Sequence, residues 1–340
     1  MNLLVSSLEP SANLHLEPIL KKLKNCNLSG IYDERFGTPL YKSSEFSVMG
    51  ILDVLPKIFK AKEAIKEMVF LSENADTVLL IDSPAFNLPL AKAIKEKYPE
   101  KKIVYYILPK VWAWKQGRVK KVEAYCDVLA SIFPFEDKFY NKSIYVGNPL
   151  LDEINEFKDP SYHYNRVSFL PGSRKSEIKK LMPVFRELSL SIDAKKTIII
   201  PKFFQEKDIQ NIYGDLNGFE ISYEMQNSLS QSDFAFVCSG TATLEAALIG
   251  TPFVLAFKAN KLDYFIGRKF VKLSHVGLAN IIMDFEGKNE VHKEFLQDEV
   301  TVENLLSVYK SFDKKEFYQN AKELKKLLKN GAIENIIKLI

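Results

Sequence analysis

Short apolar runs recur along this chain with longer amphipathic stretches between them. They fall at Asn2–Ser6, Thr77–Ile81, Lys102–Ile107, Val128–Phe133, Arg166–Leu170, Lys196–Ile200, Phe234–Val237 and Phe253–Phe257. Each reads as a buried strand. The stretches between them follow helical spacing; Ile178, Leu181, Met182, Phe185 and Leu188 keep one face apolar. Alternating strand and helix implies parallel sheets with helices on both faces.

The pattern runs twice. Its first round ends near Gly147-Asn148-Pro149, and its second begins at Arg166. The polar, irregular stretch Asp152–Asn165 between them reads as a linker. The expected fold is therefore α/β, with two Rossmann-like doubly wound domains, residues 1–155 and 156–340, facing each other across a cleft. From Val302 onward the chain reads as helices rich in lysine, which either close the second domain or return to the first. Ligands of such sheets bind outside the carboxyl ends of the strands, so the strand ends carry most of the functional information.

Charge narrows the function classes. Net charge is +4 from 47 basic and 43 acidic residues, too weak and too mixed for a nucleic-acid partner. It permits mild attraction to an anionic surface. The opening MNLLVSS enters a strand at once, so no signal peptide is expected. No apolar run approaches the roughly 18 residues of a membrane span. Cys26, Cys126 and Cys238 are scattered, as expected of reduced cytoplasmic thiols. His15, His163, His275 and His292 are scattered too, and no metal site is expected.

Three strand ends stand out. In IDSPAFN, Asp82 sits where the chain leaves a buried strand; it either does chemistry or caps the next helix. In FLPGSRKSEIKKL, Gly172 allows close backbone approach, and Ser173 and Arg174 precede a helix. Free N–H groups at a helix start bind anions, and a guanidinium adds a fork for phosphate oxygens. The alternative is an ordinary turn with a surface arginine. In FAFVCSGTATLEAALIG, the small residues Ser239, Gly240, Thr241, Ala242 and Thr243 open a helix. They leave room for a diphosphate, and Glu245, about one turn in, is placed to reach ribose hydroxyls. The alternative is a capped helix. The chain has no Asp-x-Asp pair, which argues against a metal-clamped nucleotide; no cofactor is expected.

Two apolar segments lie in the first half. Ser47–Ile65 (SVMGILDVLPKIFKAKEAI) carries Met49, Ile51, Leu55 and Phe59 among other apolar residues, with lysines beside them. It either lies on a membrane interface and takes up acyl chains or packs into the core. Trp112 and Trp114 follow another strand. They line the cleft, or one of them is core.

Taken together, SVMGILDVL, IDSPAFN, VWAWKQGRV, FPFEDKFY, YVGNPLLD, LPGSRKSEI and SGTATLEAAL resemble, in order and over most of the chain, the lipid-A-disaccharide synthases. These are bacterial glycosyltransferases of the two-domain GT-B kind. The resemblance implies a UDP-2,3-diacylglucosamine donor and a 2,3-diacylglucosamine 1-phosphate acceptor. It implies inverting, metal-independent transfer to the 6-hydroxyl at the cytoplasmic face of the inner membrane. It implies that Arg174 and the Ser239–Glu245 turn hold UDP, with Asn280 and Gln297 as further nucleotide-side residues. Asp82 matches the family's essential acid, with Glu9 as the other base candidate. Ser11, Asn13, Asn87 and Trp112 fall on the acceptor side with the Ser47–Ile65 segment. The family's Gly-Glu-Ala-Ser-Gly-Asp is Leu8-Glu9-Pro10-Ser11-Ala12-Asn13 here, its Asp-Ala-Pro-Asp-Phe-Asn has Ala85 for the second acid, and its Val-Gly-His-Pro has Asn148. Another GT-B transferase, a nucleotide-sugar epimerase and an inactive UDP-binding homologue are the rival readings.

Overall fold

The structure is a computed structural model, and it describes residues 1–46, 54–154, 156–260 and 273–340, with residues 54–58 as backbone alone. The chain forms two compact units. One comprises Met1–Asp152 with Leu328–Ile340, the other Glu153–Leu327.

The first unit is built on a parallel sheet with the order β3-β2-β1-β4-β5-β6-β7. Its strands are β1 (Asn2–Ser6), β2 (Asn27–Tyr32), β3 (Tyr41–Lys42), β4 (Thr77–Ile81), β5 (Ile103–Tyr106), β6 (Val128–Ser131) and β7 (Ser143–Tyr145). The helices are α1 (Pro10–Lys22), α2 (Val54–Leu71), α3 (Pro84–Lys97), α4 (Arg118–Tyr125) and α5 (Pro149–Glu153). Every residue of β4 and of β5 is buried, because helices cover both faces of a parallel sheet. That is why these strands are continuous apolar runs.

The second unit repeats the plan with the order β10-β9-β8-β11-β12-β13. Its strands are β8 (Arg166–Leu170), β9 (Lys195–Ile199), β10 (Glu220–Ser222), β11 (Phe234–Val237), β12 (Phe253–Phe257) and β13 (Glu294–Leu296). The helices are α6 (Lys175–Ser189), α7 (Glu206–Tyr213), α8 (Met225–Ser230), α9 (Thr241–Ile249), α10 (Leu278–Phe285), α11 (Val302–Ser311) and α12 (Lys314–Leu327). The apolar stripe expected at Ile178, Leu181, Met182, Phe185 and Leu188 is buried along α6.

Among the described residues, five strands escaped the sequence reading: β2, β3, β7, β10 and β13. Four of them are sheet edges of two or three residues. An edge strand is covered incompletely and needs no apolar run. The fifth, β2, reads NLSGIY. Its Gly30 has φ +112° and lies so close to β1 that a Cβ would stand 2.2 Å from the Val5 carbonyl oxygen.

The last helix, α13 (Ala332–Leu339), packs with the first unit. Its start is held by Asp152, whose Oδ1 accepts from Gly331 N at 2.6 Å and Oδ2 from Ile333 N at 2.9 Å. At its far end the Thr77 hydroxyl donates to the Ile340 carbonyl at 2.8 Å. Between these anchors Ile333 and Ile336 are buried. A carboxylate satisfying two N–H groups at a helix start stabilises by about 1–2 kcal/mol. Asp152→Ala is expected to lower stability by that amount in denaturant titration and to speed amide exchange in residues 332–339 before the rest of the unit. Unchanged exchange there would show that the Asp152 bonds do not hold α13.

Candidate active site

In the first sheet, β1 lies between β2 and β4, and the chain winds outward from this point in both directions. The loops after β1 and β4 therefore part from one another, leaving a crevice at their carboxyl ends. Glu9 follows β1, and Asp82 follows β4.

Asp82 and Ser83 take φ values of 49° and 44°. Two consecutive residues with side chains in the left-handed region are costly, and such strain persists only where surroundings over-determine it. Here Asn87 supplies the clamp. Its Nδ2 donates to the Ile81 carbonyl at 3.2 Å and the Asp82 carbonyl at 2.7 Å, while its Oδ1 accepts from the Ser6 hydroxyl. The Tyr105 hydroxyl adds a second donor to the Asp82 carbonyl at 2.7 Å. The carboxylate of Asp82 accepts from Ser83 N at 2.8 Å. Phe86 N and Asn87 N in the first turn of α3 go instead to the Ser83 carbonyl at 3.1 and 3.0 Å. Asp82 is thus not the cap of α3. Burial raises its pKa, opposed by the positive charge of Lys110 and by the Ser83 N–H. Glu9 is exposed and accepts from the Ser83 hydroxyl at 3.4 Å, so the two acids meet at one serine. Ser11 is exposed on the first turn of α1.

Several residues expected on the acceptor side lie elsewhere. Asn87 is fully buried and holds backbone. Asn13 is buried, donating to the Ser7 and Glu9 carbonyls at 3.1 and 2.9 Å and accepting from Asp33 N at 2.9 Å. Asn148, in place of the family's histidine, donates to the Ile132 carbonyl at 3.1 Å and accepts from Leu150 N at 3.1 Å. Trp112 belongs to the core. It packs against Phe133 and Phe135 and donates to buried Glu136 at 3.3 Å. Trp114 is the surface member of the pair, with Lys115 and Arg118 over its ring at 4.2 and 5.4 Å. Met49 and Ile51 lie outside the described residues, as does the side chain of Leu55. Phe59 is 71% exposed on α2, and Phe70, about three turns on along the same face, is 64% exposed.

The second sheet reverses its winding between β8 and β11. Gly172 follows β8 with φ +107°, and a Cβ there would stand 2.8 Å from Glu177 Oε2 and 3.2 Å from Cys238 Sγ. Glycine lets this loop lie against the end of β11. Ser173 is exposed, and Arg174 is largely exposed with its guanidinium held by Glu177 at 2.8 Å. Across the switch point, Ser239, Gly240, Thr241 and Ala242 are accessible at the start of α9. The first N–H groups of a helix have no intrahelical partner and form an anion site. Thr243, by contrast, is fully buried. Its hydroxyl donates to the Gly240 carbonyl at 2.9 Å and accepts from Leu278 N at 3.0 Å, so it shapes the turn from beneath. Glu245 is buried on α9; burial, with repulsion from Glu153, pushes its pKa up to about 7.

Asn280 is also wholly buried. It donates to the His292 carbonyl at 2.8 Å and to Glu294 at 2.9 Å, and accepts from Val291 N at 2.7 Å. The expected nucleotide contact is therefore corrected to a brace. Gln297, with φ 55°, follows β13; with its amide oxygen and nitrogen exchanged, it pairs with the Ala259 backbone at 3.3 Å in both directions. Sequence reasoning missed Glu294 and Glu136. Glu294 follows two scattered histidines, His275 and His292, that converge on it at 3.7 and 3.9 Å.

A family model described as lipid-A-disaccharide synthetase matches residues 3–337. The lipid-A-disaccharide synthase of Campylobacter jejuni strain RM1221 is 51% identical, covering 99% of this chain and 98% of that protein. The one from Helicobacter pylori strain Shi470 is 44% identical, covering 98% and 96%. Among solved structures, Acinetobacter baumannii MurG superposes with a TM-score of 0.61 at 14% identity, over 100% of this chain and 98% of that one. A Staphylococcus aureus MnaA–UDP structure gives 0.59 at 13% identity, over 99% and 94%. At such identities the structural likeness concerns the fold alone, which is GT-B.

The raised pKa of Glu245 carries a stability signature. Its carboxyl is protonated in the folded state up to about 7. Stability from that protonated form is present below the ordinary value of 4.5 and is lost as pH rises through about 7. Glu245→Gln removes this loss. The variant is expected to gain on the wild type by roughly 2–3 kcal/mol between acid and neutral pH. Thermal melts of both proteins in paired buffers measure it, and a constant difference across that range would refute it.

Proposed function

The chain belongs to the lipid-A-disaccharide synthase family and is a glycosyltransferase that forms the lipid A disaccharide; we propose how its residues carry that reaction. The donor is UDP-2,3-diacylglucosamine, and the acceptor is 2,3-diacylglucosamine 1-phosphate. Asp82 takes the proton of the acceptor 6-hydroxyl as that oxygen attacks the anomeric carbon of the donor sugar. The bond from that carbon to the diphosphate breaks on the opposite face, so configuration inverts and UDP leaves. Arg174 and the N–H groups at the start of α9 meet the charge on the departing diphosphate, so the step requires no metal. The reading supports Glu245 as a partner of the ribose hydroxyls.

One observation carries this assignment: a strained, doubly clamped elbow at the switch point presents Asp82, whose pKa burial has raised. A base is most effective when its pKa approaches the working pH. Glu9 is exposed and lacks that environment, and it serves by bonding Ser83.

The substrates carry acyl chains, and the outward face of α2 offers Phe59 and Phe70 with exposed Lys62 and Lys66. Such a face suits peripheral contact with an anionic lipid surface, here the cytoplasmic face of the inner membrane. No helix among the described residues is long and apolar enough to cross a membrane.

Asp82→Asn is expected to fold, to bind UDP as the wild type does and to lose about 10²–10⁴ in turnover. UDP release and the mass of the lipid product measure this, and near-normal turnover would remove Asp82 as the base. Replacing Phe59 and Phe70 together with serine is expected to weaken vesicle binding at least about tenfold, with the circular dichroism spectrum unchanged. Binding equal to the wild type would place the membrane contact elsewhere.

A further inference from the structure

Glu294 belongs to no part of the reaction described so far, yet it sits where three chain segments join. It opens β13, and its carboxylate is nearly buried. Oε2 accepts from Val276 N at 2.7 Å, and Oε1 accepts from Gly277 N at 3.1 Å and Asn280 Nδ2 at 2.9 Å. The fit is close. A Cβ on Gly277 would stand 2.6 Å from the His292 ring and 3.2 Å from Glu294 Oε1.

Both oxygens are thus committed to donors, and only an acceptor-only group satisfies all three. The segment fixed in this way leads directly into α10. The next amide, Leu278 N, donates to the Thr243 hydroxyl, which in turn donates to the Gly240 carbonyl. Gly240, with φ +79°, is the residue before α9. A continuous set of hydrogen bonds therefore runs from Glu294 through the 276–278 backbone and the Thr243 side chain to the turn at Ser239–Thr241.

We propose that Glu294 is a positioning residue for the nucleotide: through Val276, Gly277 and Thr243 it fixes the turn whose N–H groups receive the UDP diphosphate. The proposal rests on the reading that this turn holds UDP. It assigns Thr243 to the support of the turn and leaves half-buried Ser239 and exposed Thr241 at its lip. Glu294→Gln is isosteric but necessarily turns an NH2 group toward at least one of the three donors. Thr243→Val removes the hydroxyl at the other end of the relay, and Thr243→Ser retains it.

The test is calorimetric titration of UDP together with steady-state kinetics. Glu294→Gln and Thr243→Val are each expected to weaken UDP binding about tenfold or more. The KM for the UDP-sugar should rise in parallel while the KM for the acceptor stays the same. Thr243→Ser should bind UDP as the wild type does. The double variant should be no weaker than the weaker single variant, since both changes break one relay. Additive losses, or wild-type UDP affinity in Glu294→Gln and Thr243→Val, would overturn the proposal. Should Glu294→Gln fail to fold, the Thr243 pair decides: equal UDP binding by the valine and serine variants would overturn it. A Thr241→Pro variant, which deletes one of the turn's N–H groups at a first helical position that accepts proline, separates the two layers. Wild-type UDP binding there would reject the turn as the UDP site. Weakened binding there with none in the two relay variants would reject the relay alone.

Discussion

A parallel sheet covered on both faces sends the carboxyl ends of all its strands to one edge, and the loops at that edge part only where the winding reverses. This constraint acts once in each unit. In the first it falls between β1 and β4, and in the second between β8 and β11. The strands themselves are closed to chemistry, since β4, β5 and β11 are buried throughout. An exposed acid, a half-buried one and an exposed arginine are therefore found in the residues that follow those strands. Glu9 and Asp82 lie at the first switch point, and Arg174 and Ser239 at the second.

Irregular backbone at strand ends leaves N–H and C=O groups without ladder or helix partners, and burying one unpaired costs about 1–3 kcal/mol. Buried asparagines meet this cost throughout the chain. Asn13, Asn87, Asn148 and Asn280 each both donate to and accept from neighbouring groups while being shut off from solvent. One amide supplies donor and acceptor on a short, stiff stem, which suits a turn that must be braced from beneath. The same property explains why Asn13, Asn87 and Asn280 read as ligand contacts in the sequence. A polar side chain next to a strand end can serve a ligand or the backbone, and residue type alone does not separate the two.

Buried carboxyls divide in a similar way. Burial raises the pKa of Asp82, and that of Glu136 to about 7. Glu136, however, accepts from Trp112 Nε1, Ile132 N and Phe133 N, and is enclosed by the Trp112, Phe133 and Phe135 rings. Its acceptor capacity goes to joining the loops that follow β5 and β6. Asp82 accepts from its own neighbour Ser83 and remains partly open. A shared direction of shift thus accompanies opposite roles, and the number of fixed donors around each carboxylate tells them apart.

The sequence by itself determined the α/β class, the two rounds of strand and helix, the buried central strands and the order of the strand-end motifs. Hydrophobic periodicity reports how each local segment is covered, and that information is present in the chain. It did not reveal the short edge strands, whose burial is incomplete. Tertiary structure alone decided which polar residues face a crevice and which brace backbone. It also decided the convergence of His275 and His292 on Glu294, and the pairing of Asp152 with the start of α13. These partners are distant in the chain. Their contacts follow from the packing of whole elements, and no local pattern of residue types encodes them.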